Sequence, residues 1–257
     1  MAEAEVAREF GGKVALVTGA SRGIGFAVAR LLALRGASVV AMARNGLALD
    51  VAVQGLLSVD GQRHLAIAGD ANDSANAERA VKVAIDAYGG LDIVANIAGW
   101  YPTAHVADTS DADFDATLGS NLGATFRVCR AALATLTARR GAIVNMSSTA
   151  ARFPTPGLAL YSASKAGIEA FTRSLAIELA PHVRVNAIAA GPTLTETVRQ
   201  LLESDTTGAV RAVTETLPLG RLAEVDEIAE AVLFLAGSRA SVITGQVLYA
   251  NCGGYMA

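Results

Sequence analysis

Short runs of apolar and β-branched residues alternate along this chain with longer segments in which apolar residues recur at helical spacing. The short runs predict strands, and the longer segments predict helices that bury one face. Strands are predicted at residues 14–18, 38–43, 64–68, 91–96, 142–147, 184–189 and 246–250. Helices are predicted at residues 24–35, 74–88, 111–138, 162–180 and 226–236. This alternation is typical of βαβ units around a parallel sheet.

The order of the elements indicates the fold class. One Rossmann-type, doubly wound α/β domain, with a parallel sheet covered by helices on both faces, accounts for all of them. The length of 257 residues suits one such domain. No linker, repeat or charge run interrupts the pattern, so residues 1–257 are predicted to form a single domain, with residues 1–12 as an N-terminal extension.

Composition and charge argue against several classes of function. Apolar residues make up 52% of the chain and charged residues 18%, so it can bury a large core and does not resemble a disordered protein. No apolar run approaches the roughly 18 residues of a membrane span, and the N-terminus lacks the pattern of a secretory signal. The net charge of −3, without a basic block, argues against nucleic acid as a partner.

Cysteine and histidine are sparse and scattered. Cys129 and Cys252 form no CxxC pair, so neither a disulfide nor zinc is predicted, and a reducing, cytoplasmic location is expected. His64, His105 and His182 lack the spacing of metal ligands and are expected to be structural or exposed. No metal site is predicted.

Three glycines follow the first predicted strand at GxxxGxG spacing, and a helix is predicted to begin beside them. Glycine permits a sharp turn and a close approach of the backbone to a pyrophosphate, and the helix N-terminus offers free N–H groups. Alone, such a turn could be only structural, but the flanking strand and helix favour a dinucleotide site. The expected contacts in the turn are Gly19, Ser21, Arg22, Gly23, Ile24 and Gly25.

A serine, a tyrosine and a lysine suggest acid–base chemistry. Tyr161 and Lys165 are four residues apart in a predicted helical region, so their side chains project from one face. A nearby ammonium lowers the pKa of a phenol, which otherwise is a poor acid–base group near neutrality. Ser148 follows the fifth predicted strand and could hydrogen-bond a substrate oxygen. A YxxxK pair alone often arises by chance, but together with the glycine turn it favours catalysis.

These motifs resemble those of the short-chain dehydrogenase/reductase family, in particular its 3-oxoacyl-carrier-protein reductases. The family's TGxxxGxG matches residues 18–25, its NNAG matches residues 96–99, and its YxxxK matches residues 161–165. The resemblance extends over about residues 13–254. This chain departs from the family at Ile97, at Ala190 and at residues 251–252, none of which is a catalytic group.

The resemblance implies a role for each matching residue. Tyr161 would be the general acid in reduction and the base in oxidation, and Lys165 would lower its pKa and hold the nicotinamide ribose. Ser148 would orient the substrate oxygen, and Asn121 would support a water between Lys165 and solvent. The further cofactor contacts that the resemblance implies are Asp70, Ala71, Asn96, Ala98, Gly99, Gly191, Thr193 and Thr195, with Tyr161 and Lys165.

The end of the second predicted strand bears on the choice of cofactor. Family members that use NAD place an acidic residue there for the ribose 2′-hydroxyl, and NADP users need positive charge for the 2′-phosphate. Ala43 stands at the acidic position, Arg44 follows it, and Arg22 lies in the glycine turn. NADP(H) is therefore predicted as the preferred cofactor, with NAD(H) possible, because two guanidinium groups could bind one phosphate.

The substrate is expected to be a small, uncharged and fairly hydrophobic molecule. The walls of the substrate pocket are expected to be Trp100, Tyr101, Phe153 and Leu158, beside Ser148 and Tyr161. Residues 193–217 resemble a mobile lid. The resemblance also implies a homotetramer that packs the two long central helices across two-fold axes.

The function that these motifs favour is hydride transfer between NADP(H) and a ketone or secondary alcohol. A 3-oxoacyl-carrier-protein reductase of fatty-acid synthesis remains an alternative, and Arg139-Arg140 would be candidate contacts to an acidic carrier. A solvated helix end explains the same two residues more simply. A non-catalytic nucleotide-binding regulatory protein is the alternative from a different class, since a fold does not by itself determine function.

Overall fold

A computed structural model describes residues 8–59, 61–206 and 208–256. Its main sheet has seven parallel strands in the order β3-β2-β1-β4-β5-β6-β9, and a second sheet pairs β7 with β8. The strands are β1 (Val14–Thr18), β2 (Ser38–Ala43), β3 (Leu65–Ala68), β4 (Ile93–Asn96), β5 (Ala142–Ser148), β6 (Arg184–Ala190), β7 (Thr193–Leu194), β8 (Ala223–Glu224) and β9 (Val247–Ala250). This confirms the predicted doubly wound fold.

Helices connect the strands and cover both faces of the main sheet. They are α1 (Gly23–Leu34), α2 (Gly46–Gln54), α3 (Ser74–Tyr88), α4 (Asp111–Leu118), α5 (Ala124–Arg139), α6 (Ala159–Leu179), α7 (Glu196–Ser204), α8 (Ala209–Thr216) and α9 (Val225–Ala236). The sequence of β1 is mainly apolar because the strand is buried on both faces of the sheet. Ala15 and Val17 pack in one core with α1 and α9, whereas Val14 and Leu16 pack in a second core with α3, α5 and α6.

The order of the strands places the site. The chain moves outward from β1 to β3 and then returns to the other side of β1 with β4, so the order reverses between these two strands. In open α/β sheets, ligands bind at such a reversal, beyond the carboxyl ends of the strands. The glycine turn follows β1 and residues 97–99 follow β4, so both lie at this edge.

The predicted helix at residues 111–138 is wrong in one respect. A π-helical turn, Gly119–Gly123, separates α4 from α5. An amphipathic pattern does not reveal one inserted residue in a turn, and glycines at both ends ease the change of winding.

Helix α2 was not predicted, because it spans only nine residues. The side chain of Asn45 caps this helix by accepting a hydrogen bond from the Ala48 amide at 3.1 Å.

Across the described ranges, none of the helices combines the length and apolar character that a membrane crossing requires. The same residues contain no group of three or more His, Cys, Asp or Glu side chains able to hold a metal ion. His64 is structural: its Nδ1 accepts a hydrogen bond from the Val39 amide at 3.2 Å.

Candidate active site

The glycine turn between β1 and α1 is shaped by close backbone contacts. Gly19 and Gly23 have φ values of +69° and +56°, in the region that favours glycine. A Cβ atom at Gly25 would lie 2.2 Å from the carbonyl oxygen of Gly19, so no side chain fits there. A Cβ at Gly19 would lie 3.0 Å from the backbone of Ala98. The turn is therefore packed against β4 and against itself.

Thr18 joins the glycine turn to the segment after β4. Its hydroxyl oxygen accepts hydrogen bonds from the amides of Ile97 and Ala98, both at 3.0 Å. Asn96, a predicted cofactor contact, is buried below this edge, and its side chain donates to Asn145 at 2.9 Å. The structure therefore places the backbone of residues 97–99, rather than the Asn96 amide, at the open edge of the sheet.

A cavity of ≈ 600 Å³ extends along this edge. Among the predicted cofactor contacts, its lining includes Gly19, Ser21, Arg22, Gly23, Ile24, Gly25, Arg44, Asp70, Ala71, Ala98, Gly99 and Thr195. Gly191 and Thr193 lie at the base of the lid, outside that lining. Gly191 packs against the C-terminal segment, where a Cβ atom would meet Asn251 at 2.7 Å. The Thr193 hydroxyl donates to the Gly191 carbonyl at 2.9 Å.

Two arginines in this lining carry unneutralised charge. Arg22 and Arg44 are exposed, and neither guanidinium group forms a hydrogen bond or ion pair with any residue that the structure describes. Ala43, at the end of β2, places no carboxylate beside them. The N-terminus of α2 follows directly, and Asn45 and Ala48 also line the cavity. This end of the cavity suits an anion, which sequence reasoning anticipated from the arginines but not from α2.

Tyr161 and Lys165 project from the first turns of α6, which begins at Ala159. The Lys165 ammonium lies 5.6 Å from the centre of the Tyr161 ring and donates to the carbonyl oxygen of Met146 at 2.8 Å. A hydrogen bond joins Ser148 to the Tyr161 hydroxyl. Because Met146 and Ser148 belong to β5, the strand end and the first turns of the helix hold the three groups together.

Burial determines the charge state of these groups. It raises the pKa of Tyr161 to about 12; the hydrogen bond with Ser148 opposes this shift, and the neighbouring Tyr101 phenol adds to it. Burial also lowers the pKa of Lys165 to about 8. The lysine is therefore closer to losing its proton than an exposed lysine, and the phenol is further from losing its own.

The π-helical turn brings Asn121 to the same place. Its fully buried side chain accepts a hydrogen bond from the Trp100 amide and donates one to the Trp100 carbonyl, both at 3.0 Å. A Cβ at Gly99 would lie 2.7 Å from Asn121 Oδ1 and 3.3 Å from Lys165 Nζ. Asn121 and Lys165 thus both lie against Gly99, and the Asn121 amide holds the start of the loop after β4.

A buried carboxylate, which sequence reasoning missed, lies one turn beyond Lys165. Glu169 has no exposed surface, and it accepts hydrogen bonds from the Ser147 hydroxyl at 3.1 Å and from Arg152 Nε at 3.0 Å. A buried charge without a partner would be strongly unfavourable. Arg152 therefore ties the loop between β5 and α6 to the catalytic helix. Glu169 stands four residues after Lys165, which was the available signal for its position.

Two loops form the mouth of the site. The first, residues 99–104, is here called the Trp100 loop; the second, residues 149–158, is called the Phe153 loop. The Ala104 amide donates to the Gly157 carbonyl at 2.9 Å and so joins them. The ring of Tyr101 packs edge-on against that of Tyr161, with centroids 4.7 Å apart and planes at 78°.

The predicted substrate walls are exposed unequally. Trp100, Tyr101 and Phe153 are 38%, 60% and 54% exposed, and of these three the ring of Tyr101 contacts that of Tyr161. Leu158 is only 5% exposed, because it lies in the core where α6 begins. It offers almost no surface to a substrate, contrary to the prediction.

The predicted lid, residues 193–217, contains α7 and α8. Strands β7 and β8 pair at its base, where Arg199 also bonds Glu224 at 2.7 Å. Thr195 caps α7 and packs near Gly23, so the beginning of the lid touches the glycine turn. Thr195, Glu196 and Thr197 of this segment also line the cavity.

The burial of Lys165 has a measurable consequence for stability. We expect Lys165→Met to raise the free energy of unfolding of the cofactor-free protein by about 2 kcal/mol at pH 7, because an uncharged side chain avoids the desolvation penalty. Below the folded pKa of about 8 this gain is complete. It fades as the pH rises to 10.5, since above that value the lysine is neutral in both states. Chemical denaturation across this pH range measures it.

The matched control is Lys82→Met, because Lys82 is exposed and pairs with Asp86 on α3. This control should change the stability by less than about 0.5 kcal/mol. A Lys165→Met protein less stable than the parent at every pH would contradict the assignment of an unfavourable buried charge.

The sequence of this chain is similar to a known family and to individual proteins over most of its length. A family model described as enoyl-(acyl carrier protein) reductase matches residues 19–255. The chain is 37% identical to the 3-oxoacyl-[acyl-carrier-protein] reductase FabG of Vibrio cholerae, with 95% of this chain and 98% of that protein covered. It is 36% identical to carbonyl reductase family member 4 of Danio rerio, with 94% and 97% covered.

Solved structures of proteins with similar sequences superpose closely on this fold. A short-chain dehydrogenase/reductase of Brucella melitensis, described as a glucose/ribitol dehydrogenase, superposes with a TM-score of 0.90 at 34% identity, covering 97% of this chain and 99% of that one. A short-chain dehydrogenase of Burkholderia cenocepacia in complex with NADP superposes with a TM-score of 0.87 at 34% identity, covering 96% and 99%.

Proposed function

The chain belongs to the short-chain dehydrogenase/reductase family, and we propose that it reduces a ketone, or oxidises the corresponding secondary alcohol, with NADP(H) as its preferred cofactor. It is a nicotinamide-dependent oxidoreductase of carbonyl and alcohol groups. The observation that carries the more specific proposal is the grouping of Ser148, Tyr161 and Lys165 around one point at the carboxyl edge of the sheet, beside a cavity lined by Arg22 and Arg44.

The residues of the cavity fit a dinucleotide. The glycine turn leaves room where side chains would stand, and Gly25 could carry none. The N-terminus of α1 offers its free N–H groups to a pyrophosphate. Arg22 and Arg44 supply positive charge without competing partners among the described residues. When bound, the dihydronicotinamide supplies the hydride.

The chain's own residues then manage the proton. In reduction, the Tyr161 hydroxyl donates a proton to the carbonyl oxygen as the hydride reaches the carbon, and in oxidation the phenolate accepts it back. Ser148 hydrogen-bonds the same oxygen. Lys165 keeps the developing phenolate stable, and we propose that Asn121 supports a water that returns a proton to Lys165 from solvent.

Steady-state kinetics with a panel of ketones and secondary alcohols, each with both cofactors, tests this function. We expect turnover and a lower KM for NADPH than for NADH. Arg44→Asp should reverse that preference by roughly ten- to a hundredfold, because a charge-assisted bond to the 2′-phosphate is replaced by repulsion. Equal or better use of NADH by the unmodified protein would contradict the NADP assignment, and bound cofactor without any turnover would favour the non-catalytic alternative.

A 3-oxoacyl-carrier-protein reductase is the second candidate, and the names of the curated relatives favour it. The arginines that could meet a carrier protein do not add support. Arg139 donates to the Tyr88 carbonyl at 3.2 Å, and Arg140 ends α5 in a left-handed conformation. Turnover of a 3-oxoacyl thioester at a kcat/KM well above that of simple ketones would select this candidate.

Assembly and location are also proposed. We propose a homotetramer, because the central helices α5 and α6 present exposed apolar side chains, among them Phe126 and Ile177, that a second copy could cover. Light scattering that gives a monomer at micromolar concentration would refute it. The two cysteines are free, which suits a cytoplasmic enzyme, and no nucleic acid or membrane partner is proposed.

A further inference from the structure

Exposed aromatic side chains are concentrated beside the catalytic tyrosine. The chain has few aromatic residues, 5% of the total. Most of them are buried or partly buried; the exposed ones are Trp100, Tyr101, Phe114, Phe126 and Phe153. Three of these five belong to the Trp100 and Phe153 loops, which flank Tyr161. Exposed aromatic surface in a small region commonly marks a binding site.

The Trp100 loop is held in place at both ends. Asn121 bonds the amide and the carbonyl of Trp100, and the Gly157 carbonyl accepts from the Ala104 amide. Pro102 restricts the backbone between these anchors. Tyr101 is therefore presented in a fixed position although its side chain is 60% exposed. A contact with a preorganised ring loses little conformational entropy on binding.

The position of the Tyr101 ring determines what it can touch. Its centroid lies 4.7 Å from that of the Tyr161 ring, in an edge-on arrangement. The Tyr101 phenol also acts electrostatically on the Tyr161 hydroxyl, so it lies on the side of the ring that carries the reacting oxygen. The carbonyl oxygen of a substrate must reach that hydroxyl, so we infer that a group bonded to the carbonyl carbon enters the space that Tyr101 borders. Aromatic rings prefer edge-on or offset contacts with other aromatic rings, beyond the effect of buried area alone.

We propose that the carbonyl site selects ketones that carry an aryl group on the carbonyl carbon, and that the ring of Tyr101 determines this selectivity. This inference rests on the proposed ketone reductase function and adds the substrate class. The Tyr101 hydroxyl is not required for it. Trp100 and Phe153, in the two loops beside Tyr161, add further exposed aromatic surface.

The experiment compares phenyl methyl ketone with cyclohexyl methyl ketone, which has the same number of carbons and a saturated ring. Because the two ketones differ in intrinsic reactivity, the measured quantity is the phenyl-to-cyclohexyl ratio of kcat/KM in each variant relative to the unmodified protein. We expect Tyr101→Leu to lower this ratio by about tenfold and Tyr101→Phe to keep it within about twofold, since phenylalanine retains the ring. The unmodified enzyme should also have the lower KM for the phenyl ketone.

Phe126→Leu is the matched control. Phe126 is an exposed aromatic residue of α5 that contacts Phe171 and Arg130, and Phe171 lies ten residues beyond Tyr161 on α6, roughly 15 Å along the helix. The ratio should not change in this variant. Circular dichroism confirms that each variant is folded, and the KM comparison in the unmodified enzyme does not depend on any variant.

An unchanged ratio in Tyr101→Leu, or a lower KM for the cyclohexyl ketone, overturns the aryl inference while the reductase function stands. Failure of the unmodified protein to reduce either ketone, or any other in the panel, with either cofactor overturns the proposed function itself. The two failures are therefore distinguishable.

Discussion

Tyr161→Phe is expected to lower kcat for ketone reduction by about a thousandfold while the protein still folds and binds NADPH. The substitution removes only the hydroxyl oxygen, which bonds Ser148. The ring remains, with its edge-on contact to Tyr101 and its position below the Lys165 ammonium. Steady-state assays measure kcat, and fluorescence titration measures the Kd for NADPH, which should change by less than about threefold.

Loss of the hydroxyl matters because this hydroxyl, beside Ser148, is the group placed to donate the proton to the substrate oxygen. Ser148 has a hydroxyl of much higher intrinsic pKa than a phenol, and Lys165 bonds the Met146 carbonyl instead. The matched control is Tyr88→Phe. Tyr88 is the last residue of α3, and its hydroxyl donates a hydrogen bond to the Arg63 carbonyl. Near-normal turnover in Tyr161→Phe would show that the proton comes from elsewhere.

Gly25→Ala should abolish useful cofactor binding. The added methyl group would lie 2.2 Å from the Gly19 oxygen and 2.6 Å from its carbonyl carbon, and both are backbone atoms that a rotamer change cannot move. The glycine turn would have to open, which withdraws the N–H groups of α1 from the pyrophosphate. We expect the Kd for NADPH to rise by more than about a hundredfold and the free energy of unfolding to fall by about 3 kcal/mol.

Gly55→Ala serves as its control, because Gly55 ends α2 with an ordinary helical φ of −81° and the nearest atom to an added Cβ lies at 3.4 Å. That variant should bind NADPH normally and lose no stability. Cofactor titration and thermal unfolding of both variants provide the comparison. A Gly25→Ala protein with the parent's Kd would mean that the turn does not carry the pyrophosphate.

The central elements of the fold could be predicted because their signals are local. Strands β1, β2, β4, β5 and β6 are buried on both faces, so each appears in the sequence as a mainly apolar run, which in β5 and β6 includes the buried Asn145 and Asn186. Tyr161 and Lys165 could be paired because four residues make about one helical turn. Their spacing, with the glycine turn after β1, was sufficient to indicate the family and the reaction class.

Contacts between distant parts of the chain could not be predicted in this way. The π-helical turn, which presents Asn121, adds one residue to a helical turn without changing the apolar pattern. The pairing of Glu169 with Arg152 joins a helix to a loop seventeen residues earlier. Leu158 lies in an apparent loop between Ser148 and Tyr161, yet the packing of α6 buries it.

The sequence by itself determined the central strands, the glycine turn and the acid–base pair, because each depends on residues within a few positions of one another. Only the tertiary structure decided that Tyr101 packs against Tyr161, that Arg22 and Arg44 line one cavity, and that Asn121 and Lys165 meet at Gly99. The physical reason is that these contacts arise where the carboxyl ends of neighbouring strands converge. Strand order and helix packing, which depend on the whole core, set those distances.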